Sequence, residues 1–368
     1  MKIKEFFKKY IPLPAAVFIG LALICGGIHL ISLFSTVFSD GFSTTVAAFF
    51  RLILAKLTGW LPISFAELLI ITLPITVAII AVFAYKACKK SREKAIRYIC
   101  GLLAGITFFY SSFVLTFACS YRGSSLESKI GLERAEVSAE ELKYTTALVI
   151  NELNALALKT EYGEDRFSNI PYSYSELNGK LNEAYKKGSE KYSFIQNMKS
   201  RVKPVILSEP MTYTHISGVY TFFTGEANVN VNYPEYNLPY TMAHEMAHQR
   251  GIAPENEANF VAYLICIESD DDYIKYSAYL NMFEYLSNAL YKADREAYRE
   301  LIKTVDINVR YELVAYSDFF DKYRDSVASD VSSAVNNSYL VMQGQTAGTK
   351  SYGLVVDLAV AYYKKANV

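Results

Sequence analysis

Pro239–Ile267 reads PYTMAHEMAHQRGIAPENEANFVAYLICI, and within it His244-Glu245-Met246-Ala247-His248 is followed by two further carboxylates, Glu255 and Glu257. On a helix, His244 and His248 lie one turn apart on one face, where two imidazoles can share a metal ion, with Glu245 beside them to take a proton from a water. Pro239 suits the first turn of such a helix, Gly251 suits its end, and Pro254 suits the start of a second helix with Glu255, Asn256 and Glu257 in its first turn. A catalytic zinc takes three protein ligands and keeps a fourth position for water or substrate. Glu255 and Glu257 compete for the third place. Glu255 is favoured because Asn259 sits one turn further on and can orient a ligand histidine, with Glu257 as the alternative.

HEMAH followed by ENEAN resembles the gluzincin zinc peptidases, in which HExxH is completed by a glutamate on a following helix reading E-x-x-A-D or E-x-x-A-N, as in the CAAX prenyl proteases and the ImmA/IrrE-type peptidases. The resemblance implies Glu255 as ligand and Asn259 as its orienting partner. The interval from His248 to Glu255 is shorter than in most of these families, which keeps Glu257 open. A wider likeness, through FTGEANVN (223–230) and YLVMQGQTAGTKSYG (339–353), is to a bacterial family of membrane proteins with N-terminal spans and an HExxH domain. It implies architecture and a metallopeptidase expectation, but no substrate.

The bare five-residue pattern also occurs on charged surface helices. Here Met246 and Ala247 between the histidines, the glycine stop and the acidic turn mark a buried helix pair, and two of the chain's 4 histidines fall in it.

Hydrophobic residues make up 52% of the 368, high for a soluble chain, and the excess lies in the first 120 or so. Ile11–Phe34 carries no Asp, Glu, Lys or Arg and is long enough to span a hydrocarbon core of roughly 30 Å. It is too long for a signal peptide and lacks an A-x-A site. Further spans are expected at about 63–85 and 98–119. Between them KACKKSREKAIR (86–97) carries six basic residues against Glu93, and Lys2, Lys4, Lys8 and Lys9 precede the first span, so both stretches read as cytoplasmic. Gly41–Trp60 is apolar but holds Arg51 and Lys56, each costing about 2.5–3.5 kcal/mol at mid-bilayer, and reads as an interfacial or re-entrant helix. Three spans place everything after Cys119 outside the cytoplasm, at a multi-pass cell membrane. The cysteine spacings build neither a disulfide framework nor a zinc site, and Cys266 reads as a buried structural thiol.

The expected fold is therefore mainly α: a membrane domain over 1–119, then an α+β zincin-like domain over 120–368 with a small sheet and a helical C-terminal part. Ser138–Glu141 and Ser173–Glu176 are capping boxes that open two helices, expected to cover the catalytic pair. Val205–Leu207, Gly218–Phe223 and Glu226–Asn232 read as strands, and from Asp272 onward the pattern is helical. In zinc peptidases of the resembled type the strand before the site lies at a sheet edge and pairs with extended substrate, which would assign Ala227, Asn228 and Val229 to substrate binding.

The expected activity is zinc-dependent endopeptidase chemistry on a protein or peptide substrate, with one Zn2+ lowering the pKa of its water towards about 7 and Glu245 as general base. Tyr352 in the glycine-rich loop is the first candidate for oxyanion stabilisation, ahead of His215 and Arg310. Two other readings share the same residues: a signalling or envelope protein in which zinc only ties two helices together, and a hydrolase of a non-peptide amide. The lipid bilayer is the other expected partner. Formal net charge is zero, which gives no pull towards nucleic acid, and the sequence carries no signal for oligomeric state.

Overall fold

The computed structural model describes residues 5, 9–133, 135–343, 345 and 352–366. The chain is mainly helical, with one three-stranded sheet, and divides into two compact units, Met1–Gly123 with Thr221–Gly225, and Ser124–Tyr220 with Glu226–Val368.

In the first unit α1 (Leu13–Ser32), α2 (Thr36–Gly59) and α5 (Arg92–Thr116) are each long and apolar enough to cross a membrane, and α3 (Phe65–Ile71) with α4 (Leu73–Lys90) forms a fourth candidate, bent by 57°. The bend has a local cause: Pro74 has no N–H for the Ile70 carbonyl, and its ring crowds that oxygen. Ser91 caps α5 by accepting the Lys94 N–H at 3.2 Å, and Tyr98 donates to the Ile80 carbonyl of α4. Helices α1 and α5 run side by side in the same direction, matched by Arg97 to the Lys9 carbonyl, Phe18 edge-on to Phe108, and Cys25 to the Ser111 carbonyl.

Where an interfacial piece was expected over 41–60, the chain is one helix from Thr36 to Gly59, with a π-helical stretch at Ser43–Ala47. Arg51 is 1% exposed, and its guanidinium donates to the Thr116 and Ser43 carbonyls at 2.8 Å each. Its charge is thus met by backbone dipoles rather than left to lipid. Ser43 and Ser120 hydroxyls bond at 2.7 Å, so α2 packs where α5 ends. The Thr221–Gly225 turn belongs to this unit, Phe222 and Phe223 packing edge-on to Phe113 and Phe109.

The second unit begins with α6 (Ala139–Ala157) and α7 (Tyr174–Lys191), each opened by the capping box its sequence carries. Of these two, α7 packs on the helix pair that holds HEMAH, whereas α6 lies mainly along α10 (Asp272–Ala293), because its apolar face Val149, Ile150 and Leu153 belongs to the core around that helix. Three short strands follow, β1 (Lys203–Pro204), β2 (Gly218–Thr221) and β3 (Glu226–Val229), in the order β1-β3-β2 with β1 parallel to β3. Val205–Leu207, expected as a strand, instead leads into the short helix Ser208–Thr212. Ala227, Asn228 and Val229 are therefore central, not at the edge. They are buried between two partner strands, and their ladder groups are not open to strand addition.

Helices α8 (Asn237–Gln249), α9 (Glu255–Ile267) and α10 form the centre, with Met242, Met246, Phe260, Leu264, Leu280 and Phe283 buried among them. Then come α11 (Arg295–Leu301), α12 (Ile307–Asp321), α13 (Val327–Met342) and α14 (Tyr352–Ala366), the last closing on α9 through Tyr363 and Tyr263. Fully buried Glu312 of α12 accepts from the Ser168 N–H at 2.7 Å, the Ser168 hydroxyl at 2.6 Å and the Tyr276 hydroxyl.

Half-buried Glu284 of α10 has its carboxyl pushed up to about 7 by burial and by the nearby Glu312. The folded protein holds that proton more tightly than the unfolded chain, so the associated stability is complete below the ordinary carboxyl value of 4.5 and is lost as pH rises through 7. Glu284→Gln, which mimics the neutral acid, should leave the melting temperature unchanged at pH 4 and raise it above pH 7; equal shifts at both pH values would contradict this.

Candidate metal centre

The site is built by the way α8 stops. Gly251, in the left-handed region at φ 91°, donates its N–H to the His248 carbonyl at 2.9 Å, and Ile252 donates to the Ala247 carbonyl at 3.1 Å. Those two bonds are a Schellman turn, a conformation that favours glycine. The turn aims the Ile252 carbonyl back at the helix, where it accepts from His248 Nδ1–H at 2.7 Å. In the neutral ring this bond assigns the proton to Nδ1 and leaves Nε2 with the lone pair a metal needs. The chain then reaches Pro254 and starts α9, placing Glu255 in its first turn, where the helix dipole favours a carboxylate.

Glu255 spans the two imidazoles. Its Oε2 lies 3.3 Å from His244 Nε2 and its Oε1 3.5 Å from His248 Nε2, and all three ligand atoms fall within 4.8 Å of one another. The Glu255 side chain is 31% exposed, so the group can be reached from solvent. Two imidazole nitrogens and one carboxylate oxygen are the donor set that suits a borderline cation such as zinc, and they converge from two rigid helices.

Charge within the group is strongly coupled. Burial would raise the Glu255 carboxyl, but the two imidazoles outweigh it and hold it well below the usual range. Burial lowers His244, and the neighbouring His248 lowers it further. For His248 burial also lowers, but the Glu255 carboxylate more than offsets it and lifts the ring to about 9. Glu245 differs: it is 3% exposed, burial pushes its carboxyl up to about 8 against the opposing pull of His248, and its Oε2 accepts no hydrogen bond among the described residues. A carboxylate of raised basicity beside three converging donors is arranged to accept and return a proton.

The surrounding elements fix α8 from three sides. Ser277 of α10 accepts the Tyr240 N–H at 3.1 Å and donates to the Tyr236 carbonyl, satisfying the helix N-terminus. Tyr185 of α7 donates to the Ala243 carbonyl. Arg250, 2% exposed, lies 4.0 Å from the centre of the Tyr185 ring and donates to Ser200, Met246 and Met198. Tyr240 of α8 donates to the Asn259 carbonyl at 3.0 Å and ties α9 to α8.

The two candidates for the third ligand separate cleanly. Glu255 joins the histidines, whereas Glu257 points away and accepts the Leu126 N–H at 3.1 Å. Asn259 lies beside His244 and favours its charged form, although His244 Nδ1 makes no hydrogen bond of normal geometry among the described residues. His215 bonds the Tyr323 carbonyl at 2.8 Å through Nε2. The Tyr352 side chain lies outside the described residues, and among the described residues no contact brings Arg310 to the group. The sequence reading missed Gly218, where a Cβ would lie 2.5 Å from Glu245 Oε1; a glycine opening an otherwise β-branched and aromatic strand was the available signal.

A family model described as "Protein of unknown function (DUF3810)" matches residues 42–360. No curated protein and no solved structure matches the chain.

The geometry separates the two acids experimentally. Glu255→Gln should weaken zinc binding by roughly 100-fold or more, beyond the usual cost of losing an outer partner, while Glu257→Gln should leave it within a few-fold. Isothermal titration of zinc into both full-length variants measures this, and equal losses would contradict the assignment.

Proposed function

The chain belongs to the family described as Protein of unknown function (DUF3810), and on that premise we propose that it is a membrane-anchored zinc metallopeptidase. The observation that carries the reading is the convergence of His244, His248 and Glu255 with buried Glu245 next to them. A three-ligand set leaves one position for water or substrate, which favours catalysis over a closed structural site. Glu257, the nearest acid to fill a fourth place, is used at Leu126.

His244 Nε2, His248 Nε2 and a Glu255 oxygen would hold the ion, which supplies Lewis acidity towards a water and a carbonyl. His248 keeps its orientation through the Ile252 carbonyl, and Asn259 is the candidate partner for His244. Glu245 takes a proton and delivers it to the leaving amine, a role suited to its raised basicity. An extended peptide would be admitted along β2, an outer strand whose first residue touches Glu245.

The membrane arrangement we infer has α1, the bent α3–α4 pair and α5 crossing, with α2 at one face. It is supported by the parallel run of α1 and α5, by the packing of α2 at the end of α5, and by the basic segment Lys86–Arg97. This places the residues after Gly123 outside the cytoplasm.

Zinc content and hydrolysis of a peptide library by the full-length chain in detergent test the reading. Glu245→Gln should retain zinc and lose roughly 10²–10⁴-fold in kcat; undiminished turnover by that variant would overturn the proposal.

A further inference from the structure

Gly218 opens β2 directly against the Glu245 side chain. A Cβ built there would lie 2.5 Å from Oε1, 2.7 Å from Cγ and 2.9 Å from Cδ of Glu245, closer than carbon and oxygen atoms approach. The strand is held on the carboxylate by the polar half of the ANVNV alternation. Asn228 Nδ2 donates to the Val219 carbonyl at 3.1 Å, Asn230 Nδ2 to the Ile216 carbonyl at 3.2 Å, and the Asn230 N–H to the Ser217 carbonyl at 2.8 Å. Both asparagines are at most 2% exposed. Upstream, His215 adopts a left-handed backbone at φ 57° and is anchored by its ring to the Tyr323 carbonyl, which fixes where the strand begins.

We propose that Gly218 is the positioning residue for Glu245: the bare backbone of β2 is the wall on which the carboxylate rests, and Asn228 and Asn230 hold that wall in place. The inference rests on the reading of Glu245 as the proton acceptor. A methyl group at 218 fits the local backbone, which is not left-handed, so its effect falls on the Glu245 carboxylate and leaves the metal ligands in place.

The test uses the full-length chain with Gly218→Ala, Glu245→Ala and the double variant. Gly218→Ala is expected to keep zinc and KM while kcat falls roughly 100-fold, the scale of a misplacement of about 1 Å. In the Glu245→Ala background Cγ, Cδ and Oε1 are all gone and the clash disappears, so the same change should alter the residual kcat by less than about two-fold. Equal losses in both backgrounds, or none in the wild type, would overturn the proposal. A structure of Gly218→Ala decides the point without turnover: a displaced Glu245 carboxylate with unmoved histidines supports the positioning role, and an unmoved carboxylate refutes it. Should the wild type hold zinc and cleave no peptide while the carboxylate is displaced in the variant, the peptidase reading fails and the positioning role stands.

Discussion

The site depends on a reversal of the chain completed between His248 and Glu255. A helix carrying two histidines can present two nitrogens on one face without help, but the third donor must come back from beyond the helix end. The left-handed residue Gly251 makes that return, and the same turn delivers the Ile252 carbonyl that fixes the His248 tautomer. One backbone conformation thus sets both the number of donors and the protonation of one of them. A side chain at 251 would carry the strain of that conformation, of order 1 kcal/mol or more, into both functions at once.

Holding this reversal in the interior brings charged groups with it. Arg250 immediately precedes the turn and is buried, a position tolerated because Ser200, Met246 and Met198 accept from it and the Tyr185 ring faces it. Lys203 and Glu226, each 1% exposed, form a second internal pair across β1 and β3. Glu245 differs: it is buried, and its Oε2 accepts no hydrogen bond among the described residues. That contrast is why Glu245 is the acid we propose as the reactive one.

Much of this was legible in the sequence where the cause is local. The two capping boxes, the glycine stop, the HExxH periodicity and the apolar runs of α1 and α5 all act within a few residues, and each produced the element expected. What escaped the sequence depends on partners far along the chain. Glu257 is excluded from the histidines by Leu126, 131 positions away. Arg51 enters an otherwise apolar helix because Thr116 and Ser43 offer carbonyls. The central place of β3 follows from a two-residue strand, Lys203–Pro204, too short to leave a periodic signal. Asn228 and Asn230 read as the outward half of an alternating strand, yet both are buried, because the facing β2 backbone gives their amides acceptors.

All three donors fall between positions 244 and 255 of one continuous segment. Closing a loop costs entropy that grows with the logarithm of its length, so a chelate confined to so short a stretch needs little of the rest of the chain to be ordered. The candidate ligand set is therefore a local feature of the chain: one helix–turn–helix carries all of it, and the distant strands and apolar helices contribute no donor to it.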